Sequence, residues 1–184
     1  NQIPNILTIG RIILVVPFAL ALLRGHYEYA LLLFFIAGLS DGVDGFLARQ
    51  FKWRSRFGAI ADPLADKLLL VTSYATLAWT DQIPVWLIAF IFGRDLMIVV
   101  GALIFHYKVH HYEIQPSLLG KLCTFTQIVY VLALLIGLAG YPMDSSILLV
   151  GFYAVALITF ASGAHYLIVW GGRARTALKS GGKS

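Results

Sequence analysis

Charge is what this sequence lacks most. Of its 184 residues only 12% are Asp, Glu, Lys or Arg, about half the share of an ordinary globular domain. A solvated surface cannot be built from so few charges. That excludes an ordinary soluble domain, and it excludes a disordered chain, which needs many charges and few apolar residues. Cysteine is nearly absent as well. A single thiol, Cys123, forbids an internal disulfide and any cysteine-rich metal site. Cations outnumber acids by 14 to 9. Few of them lie away from the edges of the apolar runs, so the excess is read as membrane orientation and not as a nucleic-acid surface.

What the sequence has is apolar length. Hydrophobic residues make up 59% of it and the mean hydropathy is +0.81, which predicts an all-α integral membrane protein. A spanning helix needs about 20 mostly apolar residues. Six candidates follow, at 3–23, 28–49, 58–79, 84–106, 117–139 and 145–170. They make one transmembrane domain over 1–184. The breaks between them, RGHYE, QFKWRSRF, TDQIP, YKVHHYEIQPS and GYPMDSS, carry charge or turn formers. The first run, from Ile3, lacks a basic leader and a small-residue cleavage site, and is expected to be retained.

Lysine and arginine set the expected orientation. Arg49, Lys52, Arg54, Arg56, Lys108, Arg173, Arg175, Lys179 and Lys183 fall on one side if the helices alternate, and Arg24 alone on the other. Positive charge collects on the cytoplasmic face, so both termini are predicted inside. No internal repeat is visible, which gives a transporter of inverted repeats no support.

Against this background stands DGVDGFLARQFKWRSRFGAIADPLAD, residues 41–66. It holds four aspartates, Asp41, Asp44, Asp62 and Asp66. A carboxylate at the centre of a membrane helix costs about 2.5–3.5 kcal/mol on insertion scales, so four of them need a reason. Residues three or four apart share a helix face. Asp41, Asp44, Gly45, Ala48 and Arg49 thus form one stripe, and Gly58, Asp62 and Asp66 another. At 1.5 Å per residue, Asp41 lies about 12 Å from Arg49 along its helix, and Asp66 about 12 Å from Gly58 along the next. In antiparallel neighbours the four carboxylates then meet at one depth, in a polar cavity in the cytoplasmic half of the membrane.

Four ionised carboxylates at one place require a counter-charge. An all-oxygen set suits hard divalent cations such as Mg²⁺, Mn²⁺ or Ca²⁺, and two of them would clamp both sides of a phosphoryl displacement. Gly45, Ala48 and Gly58 keep the stripe narrow, so a ligand can approach the backbone. Arg49 offers a fork to phosphate. The plainer alternatives are small residues that only pack helices and acids that cap helix ends. The second is the preferred reading of Asp81 and Asp144. A cation transporter and a non-catalytic membrane anchor are the readings from other classes. The first sits poorly with acids gathered toward one face beside basic residues, and the second gives the aspartates no purpose.

The stretch resembles the signature of the CDP-alcohol phosphotransferase family, D-x-x-D-G-x-x-A-R-x8-G-x-x-x-D-x-x-x-D. It stands complete here as Asp41, Asp44, Gly45, Ala48, Arg49, Gly58, Asp62 and Asp66. The opening IPNILTIGR is similar to the P-N-x-L-T-x-x-R start of several lipid-synthesising members. The resemblance implies a donor that is a CDP-linked lipid, usually CDP-diacylglycerol. An acceptor hydroxyl attacks its β-phosphorus and CMP leaves. It implies two Mg²⁺ or Mn²⁺ ions, one on Asp41, Asp44 and Asp62, the other on Asp41, Asp62 and Asp66. It makes Asp66 the general base, has Gly45 and Ala48 admit the cytidine, and has Arg49 bind the diphosphate. Ser55 and Asn5 are further donor contacts, and a homodimer is expected.

Two more stretches bear on the acceptor. Arg94 and Asp95 lie inside the fourth apolar run, where a charge is a functional candidate by default; the alternative is an ion pair that packs helices. In PSLLGKLCTFTQ, residues 116–127, Lys121, Thr124 and Gln127 roughly share a helix face; for Lys121 the alternative is a cation at a helix end facing water. Lys108, His110 and His111 are read as a basic loop facing solvent or headgroups. The R-D pair and the later P-S-x-x-x-K-x-x-T-x-x-Q resemble the CMP-forming cardiolipin synthases of the family. Gly120-Lys121 resembles its phosphatidylglycerophosphate synthases, and Cys123 departs from both. Either resemblance implies a glycerol-based acceptor bearing phosphate, held by Arg94 and Lys121. Phosphatidylglycerol is preferred over glycerol 3-phosphate. The membrane implied is a bacterial inner membrane, or else the mitochondrial inner membrane, with the site facing cytoplasm or matrix.

Overall fold

The computed structural model describes the backbone of residues 3–50, 56–108 and 118–181, and the side chains of 9–40, 42, 64–101 and 118–168. The described residues are all-helical. Six helices follow in order: α1 (Ile3–Leu23), α2 (Tyr27–Gln50), α3 (Arg56–Trp79), α4 (Val85–Lys108), α5 (Leu118–Leu138) and α6 (Ser145–Gly181). The six predicted apolar runs match them within two residues at every end but one. Helix α6 continues to Gly181, past the expected stop at 170. Apolar length located the lipid-length part of that helix. It is silent about the continuation RARTALK, whose Ala, Leu, Arg and Lys are all strong helix formers.

Local chemistry sets the ends. Three helices stop in the same way. Gly25, Asp81 and Gly140 each take a positive φ, of 72, 57 and 86°. The next residue then reaches back five positions: His26 to Ala21, Gln82 to Leu77, Tyr141 to Ile136. This is the Schellman closure, which satisfies carbonyls that the last turn leaves open. Asp144 caps α6 from the other direction, its carboxylate accepting the Ser146 N–H at 2.8 Å. Both acids expected at helix ends are therefore there, Asp81 by backbone conformation and Asp144 by side chain.

The chain divides into two compact units, Asn1–Val85 with Ile128–Leu148, and Trp86–Gln127 with Leu149–Ser184. In the first, α1 packs on both α2 and α3. Its buried stripe is Arg11, Val15, Phe18 and Leu22, spaced four, three and four apart. Ala30, Phe34 and Ala37 form the answering stripe on α2, with the Phe18 and Phe34 rings 5.9 Å apart. Hydroxyls on the apolar helices turn inward to their own backbone. Ser40 donates to the Ile36 carbonyl, Ser73 to Leu69, Thr76 to Thr72 and Thr126 to Leu122. In a lipid environment such internal partners replace water.

Large apolar side chains face outward along every helix, Phe35, Leu68, Val99, Val129 and Leu157 among them. Such continuous apolar surface belongs against acyl chains, not water. Leu118–Leu138 and Ser145–Ile168 are each long and apolar enough to cross a bilayer. Among the described side chains, Ile9–Leu23 of α1 and Tyr27–Ser40 of α2 are further apolar stretches. Composition and surface together describe a membrane protein.

Candidate active site

The aspartate-bearing stretch runs from the second half of α2 into α3. Asp41, Asp44, Gly45, Ala48 and Arg49 lie in α2, and Gly58, Asp62 and Asp66 in α3. The helical stripes predicted from spacing thus rest on real helices. The side chains of Asn5, Asp41, Asp44, Gly45, Ala48, Arg49, Gly58, Asp62 and Lys108 lie outside the described residues, as do Ser55, His110 and His111 altogether. Asp66 is the one member of the acidic group whose side chain is described.

Asp66 sits beside Ala65, which is fully buried, but its own side chain keeps 44% of its surface. It accepts a bond from Arg11 Nη1 at its Oδ1, 2.5 Å away. Arg11 comes from α1 and is 1% exposed. It lies four residues before Val15 on the stripe that α1 turns inward, so the packing of that stripe carries the guanidinium to α3. Burying a guanidinium is costly unless an anion meets it, and Asp66 meets it. Sequence reasoning assigned Arg11 no role, although it is the arginine of the opening P-N-x-L-T-x-x-R. The signal was present. An arginine inside an apolar run that already holds carboxylates elsewhere should be paired with one of them.

The donor set of the four aspartates is all oxygen, which fits hard divalent cations. The Asp66 carboxylate, half-open and fixed at one oxygen by Arg11, fits a ligand and a proton acceptor alike.

The second unit holds Arg94. It is buried, and its guanidinium is held from two sides. Ser162 of α6, fully buried, accepts from Nε at 3.1 Å and from Nη2 at 2.6 Å. Asp95 accepts from Nη1 at 2.7 Å. The Tyr166 ring lies 5.9 Å from the guanidinium carbon. The ion pair posed as an alternative from the sequence is present, and Ser162 adds a tie between α4 and α6. Those bonds occupy three of the five N–H groups of an arginine.

Lys121 is exposed on α5, whereas Gln127 is buried at 1%. The face expected to join Lys121, Thr124 and Gln127 is therefore spread around the helix, because six residues turn an α-helix by about 600°. Gln127 instead aligns with Cys123 one turn before it. Its Nε2 donates to Sγ at 3.4 Å, and Sγ lies 3.6 Å from Thr159 Oγ1. Thr159 and Ser162 are one turn apart on α6, so a buried polar seam runs through this unit from α5 to α4.

Beside Arg94, α4 and α6 leave a groove of about 370 Å³. Ala89, Phe90, Gly93 and Met97 line it from α4, and Thr159, Phe160 and Gly163 are among the residues lining it from α6.

Comparison with known proteins gives the family. A family model described as CDP-alcohol phosphatidyltransferase matches residues 1–170. A human protein named cardiolipin synthase (CMP-forming) is 32% identical over 180 residues, 89% of this chain and 60% of that protein. A fission-yeast fusion of cardiolipin synthase (CMP-forming) with a mitochondrial hydrolase is 32% identical over 198 residues, 99% of this chain and 32% of the fusion. A Mycobacterium tuberculosis protein named probable phosphatidylglycerophosphate synthase is 33% identical over 172 residues, 90% of this chain and 80% of that protein. The chain thus spans between a third and three fifths of the two cardiolipin synthases. With the model matched over nearly its whole length, the chain belongs to the CDP-alcohol phosphatidyltransferase family.

Proposed function

We propose that this protein transfers a phosphatidyl group from CDP-diacylglycerol to the hydroxyl of a phosphate-bearing glycerol acceptor, releasing CMP. The observation that carries the reading is the complete eight-position signature, set on two consecutive helices in a chain of this family. The preferred acceptor is phosphatidylglycerol, as in a cardiolipin synthase. Glycerol 3-phosphate is the second reading. It is favoured by the Mycobacterium relative, of which the chain covers 80%.

In this reading Asp66 accepts the proton of the acceptor hydroxyl as its oxygen bonds to the β-phosphorus. The bond from that phosphorus to the CMP oxygen breaks, and its electron pair leaves with CMP. A lipid hydroxyl ionises poorly on its own, so a positioned base lowers the barrier. Arg49 binds the diphosphate through its fork, Gly45, Ala48 and Gly58 leave room for the nucleotide, and Ser55 and Asn5 add donor contacts. Asp41, Asp44, Asp62 and Asp66 would hold two Mg²⁺ or Mn²⁺ ions, which would neutralise the diphosphate charge. Arg94 and Lys121 bind the acceptor phosphate. Six spans with both termini inside place this chemistry at the cytoplasmic or matrix face, where a soluble nucleotide and a lipid tail can both be served. A homodimer is the expected assembly.

The test is CMP release by purified protein supplied with CDP-diacylglycerol, Mg²⁺ or Mn²⁺, and a panel of acceptors, with products identified by mass. Asp66→Asn should abolish turnover while the protein stays folded. Turnover at the normal rate in that variant sinks the proposed base. Chelation with EDTA should stop the reaction, and added Mn²⁺ should restore it.

A further inference from the structure

The lining of the groove between α4 and α6 is mostly hydrocarbon, with Thr159 and Arg94 as its polar members. Phe90, Met97, Phe160, Ala164 and Leu167 present hydrocarbon, and among the described residues that line it Arg94 alone carries a charge. Three N–H groups of that arginine are committed to Ser162 and Asp95. The two that remain have no partner among the described residues. Ser162 and Asp95 fix the guanidinium plane, so these two donors are held in place before any ligand arrives.

An oily groove with one cation held in a fixed plane matches a molecule with an acyl chain and a phosphate. A soluble phosphate ester would leave the hydrocarbon lining unused, and a neutral lipid would leave the cation unused. The volume falls in the range of about 300–1,000 Å³ typical of small-molecule sites.

We propose that this groove seats the acceptor of the reaction proposed above as a lipid, one acyl chain in the groove and its phosphate on Arg94. Ser162 is the positioning residue for that arginine. The inference rests on the phosphatidyl-transfer reading and decides within it for a phosphoglycerolipid over glycerol 3-phosphate.

Gly93 provides the probe. A Cβ built on it meets no atom within 4 Å, so Gly93→Leu starts its side chain in open space on the groove wall. Full-length protein in CDP-diacylglycerol micelles is assayed with long-chain phosphatidylglycerol, dihexanoyl phosphatidylglycerol and glycerol 3-phosphate. Gly93→Leu should raise the KM for the long-chain acceptor by at least about tenfold, the scale on which hydrophobic pockets discriminate chain length. The KM for CDP-diacylglycerol and kcat should stay near their original values, and the penalty should shrink with the dihexanoyl acceptor. Ser162→Ala should raise the KM for both phosphatidylglycerols and leave the donor KM unchanged, and Ser162→Thr should restore it. Ala164→Leu fills the groove from α6 and serves if Gly93→Leu unfolds early in a thermal scan.

A raised KM for CDP-diacylglycerol would give the groove to the donor and overturn the proposal. Unchanged kinetics in both filling variants would leave the groove to bulk lipid and overturn it equally. Preference of the unaltered protein for glycerol 3-phosphate over phosphatidylglycerol would also overturn it while leaving phosphatidyl transfer intact. No CMP release with any acceptor would remove the transfer reading itself.

Discussion

Arg11 and Asp66 differ in what each loses when the other is removed. Arg11 is buried and cannot regain water, whereas Asp66 keeps nearly half its side-chain surface. Removing the exposed partner takes an anion from a charge that water cannot reach, whereas removing the buried partner leaves a carboxylate that water can reach. Asp66→Ala should therefore destabilise the protein by about 1–3 kcal/mol, toward the low end because Asp66 is partly screened by solvent. Arg11→Met should cost less than that, since methionine retains the apolar stem. Denaturant unfolding of both variants in the same detergent checks the order, and a larger loss for Arg11→Met contradicts it. The sequence announced Asp66 through its spacing to three other acids. It did not announce Arg11, because what makes that arginine matter is a partner 55 residues away on another helix. The same holds for Ser162, a small residue in an apolar run, whose part rests on an arginine 68 residues before it. Spacing rules read one helix at a time, and these pairings lie between helices.

Helices were legible at nearly every boundary, because apolar length and turn chemistry both speak within a few residues. Their ends yield predictions of their own. Asp81 holds a left-handed backbone conformation, at φ 57°, that costs a non-glycine residue about 1–2 kcal/mol. Asp81→Gly should raise stability by up to about 1 kcal/mol, glycine giving back part of the gain as unfolded-state entropy. Gly25→Ala and Gly140→Ala should lower it by a similar amount. A ranked set of melting temperatures tests all three. At the start of α6 the Ser146 backbone N–H, with the Ser146 side chain, holds the Asp144 carboxyl below its ordinary value of 3.8. A group whose folded value is depressed stabilises the fold above its unfolded value, and loses that contribution as pH falls through the folded one. The stability gap between the protein and Asp144→Ala should thus be full above about pH 4 and close on acidification below it. A gap that is flat from pH 6 to pH 2.5 would deny the cap its charge.

On the scale of the whole molecule, lysine and arginine placement predicts which ends and loops share a side. A reporter that fluoresces only in the cytoplasm should glow when fused after residue 184, and a phosphatase active only outside should work when inserted after Gly25. The opposite pair of results would invert the topology and move the aspartates to the outer face. Composition was enough to predict a membrane protein. It was not enough to predict the polar seam from Gln127 through Cys123 and Thr159 to Ser162 and Arg94, since Thr159 and Ser162 read alone as ordinary tolerated residues in an apolar helix and the seam joins three helices.

That seam hides the only thiol of the chain. Cys123 is 1% exposed, with Gln127 donating to its sulfur and Thr159 beside it. Water-soluble maleimides should leave it untouched in the folded protein. The molecule is thereby a natural blank for spin or fluorophore labels. A cysteine placed on any outward position would be modified alone, and distances between α4 and α6 would be measurable with lipid bound and without it, in a sequence otherwise unaltered.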